Sequence, residues 1–103
     1  MRWQPTALGW IDPDVSSSPE WDAARLLRFA RRLGYELLWR EESAVRVVDQ
    51  VRALDVDVVL IPAPNHLSAL EFDSIMHLCG IETLCPRMSF DRWADIETVR
   101  SGR

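Results

Sequence analysis

The sequence predicts an α/β domain built on a four-stranded, mostly parallel sheet with helices on both faces. Short apolar runs alternate with segments whose apolar residues recur at helical spacing, in the order β-α-β-α-β-α-β-α with short connections. Residues 56–61 are almost continuously apolar and rich in β-branched side chains, as in a strand buried on both faces of a parallel sheet. We find no internal repeat and no linker, so residues 1–103 are expected to form one domain.

The first half of the chain gives clear boundaries. A strand is predicted at 7–11, where an apolar run ends at Asp12. Ser18 is a good N-cap and Pro19 fits the first helical position, so a helix should begin there and end at Gly34. A second strand is predicted at 35–39 and a second helix from about Ser43 to residue 54.

The second half repeats the alternation. After the strand at 56–61 come a rigid loop at 62–66, a helix at 67–79 ended by Gly80, and a fourth strand at 81–85. In the remaining tail, 87–103, apolar residues recur every third position, which predicts a short amphipathic helix. Its apolar stripe consists of Phe90, Trp93, Ile96 and Val99, and the first three are a candidate interface that packs on the protein's own sheet or on a second copy.

Composition excludes several classes of protein. With 48% hydrophobic and 27% charged residues the chain is not disordered, and no apolar run is long enough to span a membrane. The formal net charge of -4 argues against a free-standing nucleic-acid binder. All 12 basic residues are arginine, which we attribute first to a GC-rich bacterial genome and alternatively to selection for anion recognition.

The expected compartment is the cytoplasm. The N-terminus lacks an apolar stretch of the kind that directs secretion, and two cysteines do not form a disulfide framework. Cys79 and Cys85 are therefore expected to be reduced thiols, and their spacing from His77 matches no common zinc site. The sequence calls for no cofactor and no metal.

A site is expected where the first and third strands end. Parallel sheets bind ligands beyond the carboxyl ends of their strands, where the strand order reverses. There the sequence places a polar rim made of Asp12, Asp14, Ser16, Asn65 and His66. Alternatively, these are ordinary turn and capping residues, with His66 solvated in its loop or contacting a partner.

Two segments carry a resemblance to a known family. Residues 8–16 read Leu-Gly-Trp-Ile-Asp-Pro-Asp-Val-Ser and are followed by a helix ending in Arg-Leu-Gly-Tyr-Glu-Leu. Residues 54–67 run from Leu-Asp-Val-Asp through an apolar strand to Pro-Ala-Pro-Asn-His-Leu. Both resemble the catalytic domain of serine recombinases, the resolvase and invertase family. The resemblance implies a resolvase-like domain of the three-layer, flavodoxin-like type over about residues 7–86.

The family's chemistry is missing from the matching positions. In the family a serine attacks a DNA phosphodiester while several arginines neutralise the phosphate. Aligned without a gap, Asp12 replaces the first arginine and Asp14 the nucleophile, and only a two-residue insertion places Ser16 there. Asn65 and His66 stand where aspartate and arginine are expected. Because an anionic transition state needs preorganised positive groups, we expect strand cleavage to be absent.

The sequence therefore predicts a catalytically inactive, recombinase-like module that binds a protein partner or forms a homodimer. One alternative is an active or vestigial recombinase that uses Ser16. A second is a Mg²⁺-dependent aspartyl phosphotransferase or phosphatase, because Asp12 and Asp14 follow an apolar strand. Finally, Arg25, Arg28 and Arg32 form one stripe of the first helix that either meets an anionic partner or is solvated and partly paired.

Overall fold

The computed structural model describes residues 4–39 and 46–92. These residues form a mixed five-stranded sheet with three α-helices, an α/β fold as predicted. In chain order the elements are β1 Thr6–Gly9, α1 Pro19–Leu33, β2 Glu36–Trp39, α2 Val47–Leu54, β3 Val58–Ile61, a 3₁₀ turn Pro64–His66, α3 Ala69–Met76, β4 Gly80–Leu84 and β5 Arg87–Phe90.

The strand order in the sheet is β2-β1-β3-β4-β5. The first four strands are parallel, and β1 pairs with the edge strand β2 on one side and with the central strand β3 on the other. Leu8 therefore lies between Leu38 of β2 and Val59 of β3. The chain reverses its direction of travel across the sheet between β1 and β3, and this gap is the topological switch point.

The fifth strand corrects the sequence prediction of four strands. Residues 87–90 were expected to begin a helix, but they form β5, which pairs antiparallel with β4 through a tight turn. Met88 and Phe90 are partly buried, with Phe90 packed against the larger core, whereas Arg87 and Ser89 are exposed, which is the two-residue alternation of a strand. Of the predicted apolar stripe, Phe90 lies in β5, while Trp93, Ile96 and Val99 lie outside the described residues.

Each face of the sheet has its own core. On one face α2 and α3 cover a large cluster that includes Leu8, Val51, Ile75 and Ile81. Phe72 of α3 and Phe90 of β5 pack edge to face at its border, with ring centroids 5.1 Å apart. On the other face α1 buries a smaller cluster, which consists of Ala7, Leu26, Phe29, Ala30, Val58 and Leu60. Helices thus lie on both faces, as the apolar strand pattern predicts.

Local signals fix the helix ends. Helix α1 begins at Pro19 and ends before Gly34, whose φ of 84° is the left-handed conformation that glycine adopts without strain. Helix α3 spans Ala69–Met76 and is shorter than predicted at both ends; its start is set by Ser68, which forms a capping box with Glu71. Among the described residues, no helix combines the length and apolar character that a membrane crossing requires.

Candidate functional site

The loops that follow β1 and β3 meet at the switch point. We call residues 10–18 and 62–68 the switch-point loops. The ladder between the two strands continues one residue beyond β1, because the Trp10 N–H donates to the Leu60 carbonyl at 3.0 Å. Both loops therefore leave the sheet side by side. The structure therefore places the rim residues of the first loop and those of the second loop at the same end of the sheet.

Asp12 organises the first switch-point loop. Its side-chain Oδ1 accepts the Asp14 N–H at 2.9 Å, and its carbonyl accepts the N–H groups of Val15 and Ser16 at 3.0 and 2.9 Å. These bonds fold residues 12–16 into a tight turn. One oxygen of the Asp12 carboxylate thus already has a partner, and Asp14 lies exposed at the tip of the turn.

His66 ties the two switch-point loops together. Its Nδ1 accepts the backbone N–H of Asp12 at 2.9 Å, across 54 residues of sequence. An Nδ1 that accepts cannot carry a proton, so the neutral ring has its proton on Nε2. The side chain is buried, at 4% exposure, and is not the solvated turn residue that the sequence allowed. Burial lowers the pKa of His66, while the Asp22 and Asp12 carboxylates act in the opposite direction.

Ser16 is held inside a network at the start of α1. Its hydroxyl donates to Asp22 Oδ2 at 2.6 Å and accepts the Ser18 N–H at 3.2 Å. The other Asp22 oxygen lies 3.5 Å from the Arg25 guanidinium. Ser16 therefore stabilises the helix start in place of the expected cap Ser18, whose own side chain makes no capping bond. Asp22, an acidic residue in the first turn of α1, is thus the partner of Ser16.

The rest of the polar rim makes fewer contacts. Asn65 lies exposed on the 3₁₀ turn next to His66. Over residues 4–39 and 46–92 we find no group of three acidic, histidine or cysteine side chains placed to hold a metal ion. Cys79 is buried in the larger core, which raises the pKa of its thiol to about 12, whereas Cys85 is exposed in the β4–β5 turn.

A second feature lies on the face of the sheet that α1 covers. The arginine stripe of α1 borders an open groove of about 450 Å³. We call it the arginine groove, and it is lined by Arg25, Arg28, Phe29, Arg32, Leu84 and Arg87. Four of its six residues are arginines, and the other two give it an apolar floor. Arg87 reaches the groove only because β5 lies beside β4.

Two of the four guanidiniums already have carboxylate partners. Arg87 binds Glu82 at 2.7 Å and also lies 4.6 Å above the Phe29 ring, while Arg25 pairs with Asp22. The Arg28 guanidinium lies 5.9 Å from the ring centroid of Trp21, an exposed side chain about two turns earlier in α1. Within the described part of the chain, neither Arg28 nor Arg32 forms an ion pair. The groove thus carries a surplus of positive charge on an acidic protein.

A third feature is a cavity of about 370 Å³ at the opposite end of the strands from the switch point. Its lining includes Tyr35, Asp57, Cys79 and Glu82 at the start of β3 and β4. Burial, followed by the nearby Glu82 and Asp57 carboxylates, raises the pKa of Tyr35. None of the polar rim residues predicted from the sequence lies in this cavity.

The sequence located part of these features. It placed the rim residues in two loops and the three α1 arginines on one stripe, and the structure brings each set together. It missed Asp22 as the partner of Ser16, and it missed Arg87, which belongs to a segment predicted to be helical. Comparison with protein-family models, curated proteins and solved structures gave no match for this chain.

Proposed function

We propose that this protein is a non-catalytic binding module with a serine-recombinase-like fold, and that it acts by holding a protein partner. The strand order of the sheet supports the fold part of the proposal, since 2-1-3-4-5 is also the order of flavodoxin-like sheets. The antiparallel β5 departs from that pattern. The recombinase relationship itself stands on the two sequence segments that resemble the family.

The observation that carries the proposal is the environment of Ser16. A serine that attacks phosphorus must present its oxygen to the phosphate, beside groups that stabilise the developing negative charge. Here the Ser16 oxygen is engaged by Asp22 and the Ser18 N–H, and Asp12 and Asp14 lie in the same loop. A phosphodiester at this position would meet carboxylates. Removing a single stabilising donor commonly slows such reactions about 10²- to 10³-fold, and here several are replaced.

A plasmid-nicking assay tests the absence of catalysis. Supercoiled DNA is incubated with the wild-type protein, with Ser16→Ala and with buffer alone, and all three should leave the same background of nicked plasmid. Ser16-dependent nicking, or a covalent link between Ser16 and a DNA phosphate, would overturn the proposal. Light scattering at increasing concentration tests whether the partner is a second copy, because the mass then rises, and a constant mass excludes the homodimer.

One contact favours a second candidate, a serine-dependent phosphoryl transfer. Asp22, at 2.6 Å from the Ser16 hydroxyl, is placed to accept its proton, and Arg25 lies beside Asp22. This candidate predicts that Asp22→Asn abolishes nicking as completely as Ser16→Ala does. Because Arg25 is the one guanidinium that contacts this network among the described residues, we place the candidate second.

A further inference from the structure

We infer that the arginine groove is the docking surface for the partner, and that it binds an acidic, extended segment of another protein. This inference rests on the proposed function and names the chemistry of its partner. The groove combines a positive rim with apolar surface on one face of the sheet.

Two arginines of the rim are available to bind carboxylates. Arg28 and Arg32 are exposed and form no ion pair within the described residues, so both are available to an incoming anion. Arg25 and Arg87 keep their own partners, because the Asp22 and Glu82 carboxylates are only 14% and 13% exposed and would be left unpaired by an exchange. Guanidinium groups bind carboxylates in a two-pronged geometry, which favours this class of anion.

The floor favours a polypeptide over a nucleic acid. Phe29 is itself buried, but Leu84 is a partly exposed apolar residue between the guanidiniums, and Trp21, 59% exposed, adds apolar surface beside Arg28. Exposed tryptophan together with arginine is typical of protein–protein interfaces. The protein's net charge of -4 also opposes a long phosphate chain, which would extend over acidic surface beyond the groove.

The spacing fits an extended chain. Arg28 and Arg32, the two arginines without an ion pair among the described residues, are four residues apart on α1, which corresponds to about 6 Å along the helix axis. An extended peptide presents alternate side chains on one face about 7 Å apart. Two acidic side chains separated by one residue can therefore each meet one of these guanidiniums, while a neighbouring apolar side chain lies against Leu84 or Trp21.

Isothermal titration with synthetic peptides tests the inference on the full chain. The probe is a short peptide of glutamates with interspersed leucines, compared with its glutamate–alanine and lysine–leucine counterparts and with a single-stranded oligonucleotide. We expect the glutamate–leucine peptide to bind, alanine to weaken binding about fivefold, and the lysine peptide not to bind. Salt near 1 M, where the Debye length is about 3 Å, should weaken binding strongly.

Substitutions of exposed arginines test whether the peptide binds in the arginine groove. Arg28→Gln with Arg32→Gln should weaken peptide binding about tenfold or more, because two charge-assisted contacts are lost. The matched control is Arg52→Gln on α2, an exposed arginine on the opposite face of the sheet, which should bind like wild type. All three residues are exposed, so the folds should be retained and circular dichroism spectra should coincide.

The outcomes separate the inference from the proposed function. Two results overturn the docking inference alone when nicking is also absent. One is that the glutamate–leucine peptide does not bind, and the other is that Arg52→Gln loses as much peptide binding as the Arg28 and Arg32 variant. Tighter binding of the oligonucleotide than of the peptide, lost in the Arg28 and Arg32 variant, overturns both the inference and the protein-partner claim. Ser16-dependent nicking overturns the proposed function whatever the peptides do.

Discussion

The hydrogen bond between His66 and the Asp12 backbone should make the stability of the protein depend on pH. Two substitutions separate the effect of this hydrogen bond from the effect of protonating the imidazole. His66→Asn keeps an acceptor oxygen near the position of Nδ1 but cannot be protonated, and His66→Leu removes the acceptor while keeping an apolar side chain. A lost hydrogen bond at this half-buried loop should lower the free energy of unfolding by about 1–2 kcal/mol in His66→Leu. For a domain of this size that is a fall in Tm of about 4–8 °C per kcal/mol.

The sign of the pH effect follows from the lowered pKa of His66 in the folded protein. Above about pH 6.5 the imidazole is neutral in both the folded and the unfolded chain, and the full stability is present. As the pH falls below that value, the unfolded chain binds a proton that the folded protein excludes, so the free energy of unfolding decreases. The slope cannot exceed about 1.4 kcal/mol per pH unit for one group, and the decrease stops below the folded pKa.

Urea denaturation followed by tryptophan fluorescence, at a series of pH values on both sides of about 6.5, measures this dependence. The wild-type protein should lose stability relative to His66→Asn as the pH falls, because the titration of all other groups is common to both proteins. A constant difference between the two proteins over the whole series would refute the reasoning. So would a wild-type protein that gains stability relative to His66→Asn on acidification.

Three further predictions concern single contacts. Gly80→Ala should destabilise the protein by about 1–3 kcal/mol in thermal unfolding, because its new Cβ would lie 2.9 Å from a backbone oxygen of β5; an unchanged Tm would contradict the packing of β4 on β5. Ser68→Ala should lower the free energy of unfolding by about 1 kcal/mol, since the Glu71 N–H loses its capping oxygen; urea denaturation shows whether it does. Alkylation near neutral pH followed by mass spectrometry should show that Cys85 reacts and that Cys79 stays unmodified until the protein unfolds, because burial keeps the Cys79 thiol protonated. Equal alkylation rates for the two cysteines would be inconsistent with the position of Cys79 in the core.

The elements with strong local patterns were predicted well. Helix α1 follows from Pro19, its apolar spacing and Gly34, all of which act within a few residues. Strand β3 follows from a run of apolar, β-branched residues, which is typical of a strand buried on both faces of a sheet. Each of these signals depends on backbone preference or on burial of one short segment, so no partner needs to be known.

The tail after Pro86 was predicted incorrectly for a physical reason. Phe90 belongs both to a helical three-residue spacing with Trp93 and to a strand alternation with Met88. A short segment with both patterns takes its conformation from what it can pair with. Here β4 offers a free edge, and residues 87–90 pair along it.

The sequence by itself determined that the chain forms an α/β domain, and it placed acidic and hydroxyl groups in the loop after β1. Only the tertiary structure decided that His66 is buried against that loop, that Asp22 binds the Ser16 hydroxyl, and that Arg87 joins three arginines of α1. The local features come from propensities that act over a few residues. The His66 contact and the arginine groove join segments more than fifty residues apart, and sheet pairing alone brings such segments together.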